Sequence, residues 1–237
     1  LRESKTDVDA LGHLSRQIAF SFIDRYFQKG LYEAAYIDLL CEMGTFYSKA
    51  ELDNIPAAAL FGIVVEKLCD DFEELPVELY SRVMCQIISF CRTVPAGRAL
   101  DQELAGFGIT SPEQLYQRAL TTHTKPYRYD VRKTPSRILL LSRVTIGADV
   151  AILSVMIQRL RKLFPQTDIV VVGSSKLSGL FEGDPSIRLR AITYARRGGL
   201  FERFAGWHAA LEILRDEMPQ EGESSVLVID PDSRISQ

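Results

Sequence analysis

Between positions 142 and 149 the chain reads Ser142-Arg143-Val144-Thr145-Ile146-Gly147-Ala148-Asp149, which sets a guanidinium, a hydroxyl and a carboxylate directly ahead of a helical pattern. The start of a helix exposes unpaired backbone N–H groups and a positive dipole end. Arg143, Thr145 and Gly147 are therefore candidates to contact a polar substrate, with Asp149 at the helix start. By its chemistry alone Asp149 reads first as a cap, because a helix N-terminus lowers a carboxylate's pKa and weakens it as a base. The stretch has neither the G-x-G-x-x-G spacing of a dinucleotide loop nor the G-x-x-x-x-G-K-[ST] of a triphosphate loop, which disfavours both.

Other candidates lie further along. Asp230-Pro231-Asp232 follows an apolar run; Asp232 either faces a cleft or shapes the turn beside the proline. Arg188, Arg190, Arg196, Arg197 and Arg203 flank Gly198-Gly199, a local basic concentration in a chain whose net charge is −3. Arg196 and Arg197 can be read as phosphate contacts on a mobile loop or, equally, as a solvated surface. His13, His123 and His208 stand alone beside apolar stripes and suggest structure rather than catalysis. Cys41, Cys69, Cys85 and Cys91 are separated by 28, 16 and 6 positions, which matches no metal knuckle, so buried free thiols are expected. No metal is expected.

The elements that position these residues change character along the chain. Residues 1–123 carry helical periodicity: Leu11, Ile18, Phe22 and Ile23 share a face, and Gly30 is a plausible stop. A second helix is expected from about Leu31 to Tyr47, and Ser48-x-x-Glu51 has the form of a capping box. Pro56 is expected in the first turn of the next helix, Pro76 at the start of another that Pro95-Ala96-Gly97 closes. Ser111-Pro112-Glu113-Gln114 combines an N-cap, a first-turn proline and a box residue. Residues 124–136, with two prolines and five charges, read as a linker.

Beyond the linker come short apolar runs at 137–142 and 168–173, an alternating run at 187–192 and another apolar run at 225–230. Helical patterns at 150–164 and 200–218, and a shorter one at 175–181, separate them. Strands that are apolar throughout are buried on both faces, and helices between them imply a parallel sheet. The expected class is α/β, a Rossmann-like domain at 137–237 preceded by an all-helical domain at 1–123. In such sheets ligands bind beyond the carboxyl ends of the strands, which singles out the loops 142–149, 173–178 and 230–233. The chain opens without Met and stops soon after the last strand, so the sheet domain is expected to be incomplete.

Of the 237 residues, 46% are hydrophobic and 25% charged, ordinary values for one large or two small globular domains. The balanced charge argues against a nucleic-acid partner. No apolar run approaches the ~20 residues of a membrane span.

The succession Arg137-Ile138-Leu139-Leu140-Leu141-Ser142-Arg143, Ile146-Gly147-Ala148-Asp149-Val150, Leu163-Phe164-Pro165 and Ile169-Val170-Val171-Val172 resembles the start of the family 9 glycosyltransferases, the heptosyltransferase-like enzymes. Phe181-x-x-x-Pro185-x-Ile187, and Val226-Leu227-Val228-Ile229-Asp230 followed by Arg234 and Ser236, resemble later segments of that family. The resemblance covers about residues 136–237. It implies the acceptor half of a two-domain GT-B fold, with the nucleotide-sugar donor held by a C-terminal half. It implies Asp149 as general base and an inverting transfer to a bacterial surface glycan or lipid-linked acceptor such as a lipopolysaccharide core. The site would work without metal, on the cytoplasmic side at the inner face of the membrane, with peripheral membrane association left open. Alone, the acceptor half would be inactive. The alternative is a non-catalytic binding or scaffold protein, a helical interaction domain of unknown partner fused to a degenerate α/β domain.

Overall fold

A computed structural model describes residues 7–47, 49–70, 74–125, 127–142, 149–181, 183–193, 195, 197–219 and 225–231. The chain is α/β, with helices and a four-stranded parallel sheet, and it divides into two compact units. One comprises residues 1–125 with 196–203, the other 126–195 with 204–237. Among the described residues no helix is long and apolar enough to cross a membrane.

In the first unit α1 (Val8–Lys29) starts at Asp7, whose carboxylate accepts from the N–H groups of Asp9 and Ala10, and stops at Gly30. Gly30 has φ of 65°, a left-handed conformation that glycine adopts without a Cβ penalty. Leu11, Ile18, Ala19, Phe22 and Ile23 form its buried face. Helix α2 (Ala34–Phe46) buries Ile37, Leu40 and Cys41.

Pro56 corrects the reading of the next helix. Helix α3 (Ala50–Ala59) starts well before it, with Lys49 as an N-cap that makes no side-chain bond, and Pro56 lies inside. Ser48 of the expected capping box is outside the described residues. Proline has no N–H for the carbonyl four residues back, and the helix runs on through wide turns at Leu60–Val65 before α4 (Glu66–Asp70).

Helix α5 (Glu74–Cys91) is followed by a 3₁₀ turn, Pro95–Gly97, which leads straight into α6 (Arg98–Gly106). Pro95-Ala96-Gly97 thus starts a helix as well as closing one. Helix α6 has no fully buried residue; Leu104 packs half-buried against the cluster of Cys85, Ile109, Leu115 and Ala119, a short apolar stripe to read from sequence. A Cβ at Gly97 would fall 1.8 Å from the Cys91 carbonyl oxygen, so only glycine fits that turn. Helix α7 (Pro112–Thr124) has the expected capping box, with Ser111 accepting from Gln114 N and the Gln114 side chain accepting from Ser111 N. Cys41, Cys85 and Cys91 are buried free thiols. The segment 196–203 packs within this unit: Gly198 donates to Asn54 Oδ1 at 3.0 Å, and the Arg203 guanidinium lies 5.0 Å from the centre of the Phe61 ring.

In the second unit β1 (Arg137–Leu141), β2 (Asp168–Ser174), β3 (Ile187–Ile192) and β4 (Val226–Ile229) pair in the order β3-β2-β1-β4, all parallel. Alternate residues face opposite sides of the sheet. Ile138, Leu140, Ile169 and Val171 pack on one side under Leu153, Ile157 and Leu160. These belong to Asp149–Leu153, a π-helical turn, and to α8 (Ser154–Leu163) that continues it. Leu177 comes from the 3₁₀ turn Ser175–Leu177 ahead of α9 (Ser178–Phe181) and joins the same cluster. Leu139, Leu141, Val170 and Val172 pack on the other side against Ala210 and Ile213 of α10 (Leu200–Glu217). Burying each such aliphatic side chain contributes about 1.5–3 kcal/mol, and cover on both faces explains why these strands read as continuous apolar runs.

Candidate functional site

The strand order places a switch point between β1 and β4. From β1 the chain adds β2 and β3 on one side, then returns to lay β4 on the other. The crevice beyond the carboxyl ends at such a reversal is where open parallel sheets bind ligands. Ile229 of β4 pairs with Leu140 of β1, so the two strands run out side by side. The loops leaving them are the ones that begin at Ser142 and at Asp230.

Ser142 is buried at 1% exposure, and its N–H donates to the Val172 carbonyl at 2.8 Å, extending the β1–β2 ladder by one bond. Gly173 lies against it. A Cβ there would sit 2.6 Å from Ser142 Cβ and 2.9 Å from Leu177 Cδ1, so a glycine is needed for the two strands to leave the sheet this close together. Sequence reading marked the 173–178 loop without finding this requirement; an apolar run ending in Gly-Ser-Ser was the available signal. Ser174 Oγ then accepts from Lys176 N at the 3₁₀ turn.

Asp149 opens the π-helical turn that precedes α8, at the helix start expected for it; the structure describes its backbone. Arg143, Thr145, Gly147, Arg196 and Asp232 lie outside the described residues. Arg197 is exposed, and Asp230 is half-buried at the end of β4. Among the described residues no group of three His, Cys, Asp or Glu side chains is arranged as metal ligands would be.

The basic concentration is not one patch. Arg188 and Arg190 alternate on the face of β3 that α10 covers, and Glu217 at the end of that helix takes both. Arg188 makes a fork to Glu217 at 2.6 and 2.9 Å, Arg190 donates to Glu217 at 2.6 Å and to Asp216 at 3.1 Å, and Arg137 of β1 pairs with Glu217 at 3.0 Å. Glu217 is 3% exposed. The hydrogen bond from Arg188 holds its carboxyl below the usual range against the pull of burial, with the Arg188 charge, Arg190 and Arg137 adding to it. Arg137 is the first residue of β1, so Glu217 ties the amino end of the sheet, away from where a ligand would enter. Arg203 donates to the Gly198 carbonyl at 3.1 Å. These cations hold the fold together. Glu217 was missed because a carboxylate near a helix C-terminus has no sequence pattern joining it to arginines 27 and 29 residues away.

His208 pairs with Glu212 one turn on at 3.6 Å, an exposed helical pair, and Trp207 meets Phe204 edge to face. Compared with family models, curated proteins and solved structures, the chain matches none.

Proposed function

We propose that this chain carries the acceptor half of an inverting glycosyltransferase, a Rossmann-like half of a GT-B fold with the helical residues 1–123 standing before it as a separate domain. The observation that supports it is the β1–β4 switch point, where the Asp149 helix start and the Asp230 loop flank the crevice beyond the strands' carboxyl ends. Asp149 takes the proton from the acceptor hydroxyl as that oxygen forms a bond to the anomeric carbon. The bond from that carbon to the nucleotide phosphate breaks, and the nucleotide leaves with the electron pair. Arg143, Thr145, Gly147 and Asp232 contact the acceptor, while Arg196 and Arg197 meet its phosphates. The donor, a nucleotide sugar, is held by a further C-terminal domain. The acceptor is a bacterial surface glycan or lipid-linked glycan at the cytoplasmic face of the membrane, and no metal takes part.

The test is transfer by the protein carrying both halves, with the product's anomeric configuration read by NMR. Inversion that persists with EDTA supports the reading; retention, or dependence on a divalent ion, contradicts it. A second reading is a binding or scaffold protein without catalysis. It is favoured by the commitment of Arg188 and Arg190 to Glu217, which removes two of the five clustered cations from anion binding. Titrating nucleotide sugars into the intact protein separates the two, since a scaffold gives no saturable binding.

A further inference from the structure

The apolar side of α5, with Val83, Met84, Ile87 and Cys91, faces the core of the helical unit. A second stripe on the same helix is polar: Arg82, Gln86 and Ser89 recur at helical spacing, and Thr93 follows in the turn just past its end. A stripe of this kind ordinarily faces water. Here it lines a cavity of about 460 Å³ walled also by residues of α2 and α7, within the size range of ligand clefts.

The wall is preorganised. Gln86 Oε1 accepts from the Tyr32 hydroxyl, while Gln86 Nε2 donates to the Ala34 carbonyl at 2.8 Å and to Asp38 Oδ1 at 2.7 Å. Tyr32, fixed in this way, holds the Arg82 guanidinium 3.8 Å from its ring centre. Arg82 is exposed and has no carboxylate partner among the described residues, so its planar set of donors is available. Ser89 is 8% exposed, yet its Oγ is buried without a hydrogen-bond partner, a condition native interiors seldom tolerate unless something else satisfies the group. Phe90 and Tyr116 give the cavity an aromatic side, and Tyr116 donates to Glu78 at 3.2 Å. Burial pushes the Cys85 thiol up to about 12, so the sulfur in the wall is no nucleophile and the cavity is suited to binding.

We propose that this cavity binds a small carboxylic acid with an aromatic or branched apolar body. Its carboxylate pairs with the Arg82 fork and its body lies against Phe90 and Tyr116. One available guanidinium matches one negative charge. Asp38 and Glu113 in the same wall select against a multiply charged phosphate. The site is independent of the reading of the sheet.

The test is calorimetric titration of the 237-residue protein with 3-phenylpropanoate, inorganic phosphate and phenethylamine. Expected is saturable binding of 3-phenylpropanoate with a Kd of about 1 mM or tighter, the range a ligand of this size reaches. Arg82→Gln weakens it about tenfold or more and Arg82→Lys by less. Arg82 is exposed, so both of its variants should melt as the parent does; should one not fold, the other carries the comparison. The proposal is overturned if 3-phenylpropanoate does not saturate by about 10 mM. It is equally overturned if phosphate or phenethylamine binds as well as the acid, or if both Arg82 variants keep the parent affinity.

Discussion

At the amino end of the parallel sheet Glu217 gathers Arg137, Arg188 and Arg190, whereas at the carboxyl end β1 and β2 meet through the close approach of Ser142 and Gly173. The first arrangement fixes the end of α10 to β1 and β3 through charge. The second brings two strand ends together through the absence of a side chain. Charge density alone would have placed the substrate beside Arg188 and Arg190; the partners of those arginines show that they are scaffold. A cation becomes a candidate for ligand binding when no carboxylate of the fold holds it.

The difference between the two ends can be broken deliberately. Gly173→Val should do the most damage, because its Cβ must displace Ser142 and Leu177; overpacking of this kind costs about 3 kcal/mol, measured as a lower urea midpoint. Gly173→Ala should destabilise by less, in the same direction, since the same Cβ contact arises without the branches.

Glu217→Ala should come next, at about 2 kcal/mol, because it leaves three arginines together without their shared buried carboxylate. The figure is kept below that of a fully buried pair because the arginines are about one-third to two-fifths exposed and water screens them. Its pH dependence has a definite sign. Glu217 has a folded pKa below its unfolded value of about 4.3, so its contribution is present above that value and is lost as pH falls through the folded pKa. Urea midpoints of the parent protein should therefore fall more steeply below about pH 4 than those of Glu217→Gln. Parallel curves would remove Glu217 from the account of the amino end.

The smallest effect is expected at Arg197, which is exposed. Arg197→Gln should leave stability within about 0.5 kcal/mol and weaken binding of a phosphorylated acceptor severalfold. A change in melting with no change in binding would place Arg197 with Arg188 among the scaffold cations.

The sheet was legible because its strands are buried on both faces, which writes them as unbroken Val, Ile and Leu runs; Ile138 to Leu141 and Ile169 to Val172 needed no further signal. The caps at Gly30 and Ser111 were legible because they rest on a single residue's conformation or reach. Helix α6 was hard to read because none of its residues is fully buried, and the extent of α3 because Pro56 is tolerated inside a helix where a first-turn position was the simpler expectation. For the candidate site, the sequence could mark the loops after β1, β2 and β4, since each follows an apolar run. It could not show that Gly173 excludes a Cβ or that Glu217 gathers distant arginines, because both depend on register across the sheet. The cavity beside Arg82 is a similar case, its wall drawn from three helices that share no motif.

The most direct test of the carboxyl-end site is the initial rate of sugar transfer by the protein carrying both halves, compared for the parent and Asp149→Asn at equal folded fraction. If Asp149 is the base, the rate falls by about 10²-fold or more, the contribution expected of a positioned proton acceptor, while thermal melting is unchanged. An Asp149→Asn protein that transfers sugar at the parent rate would contradict the account.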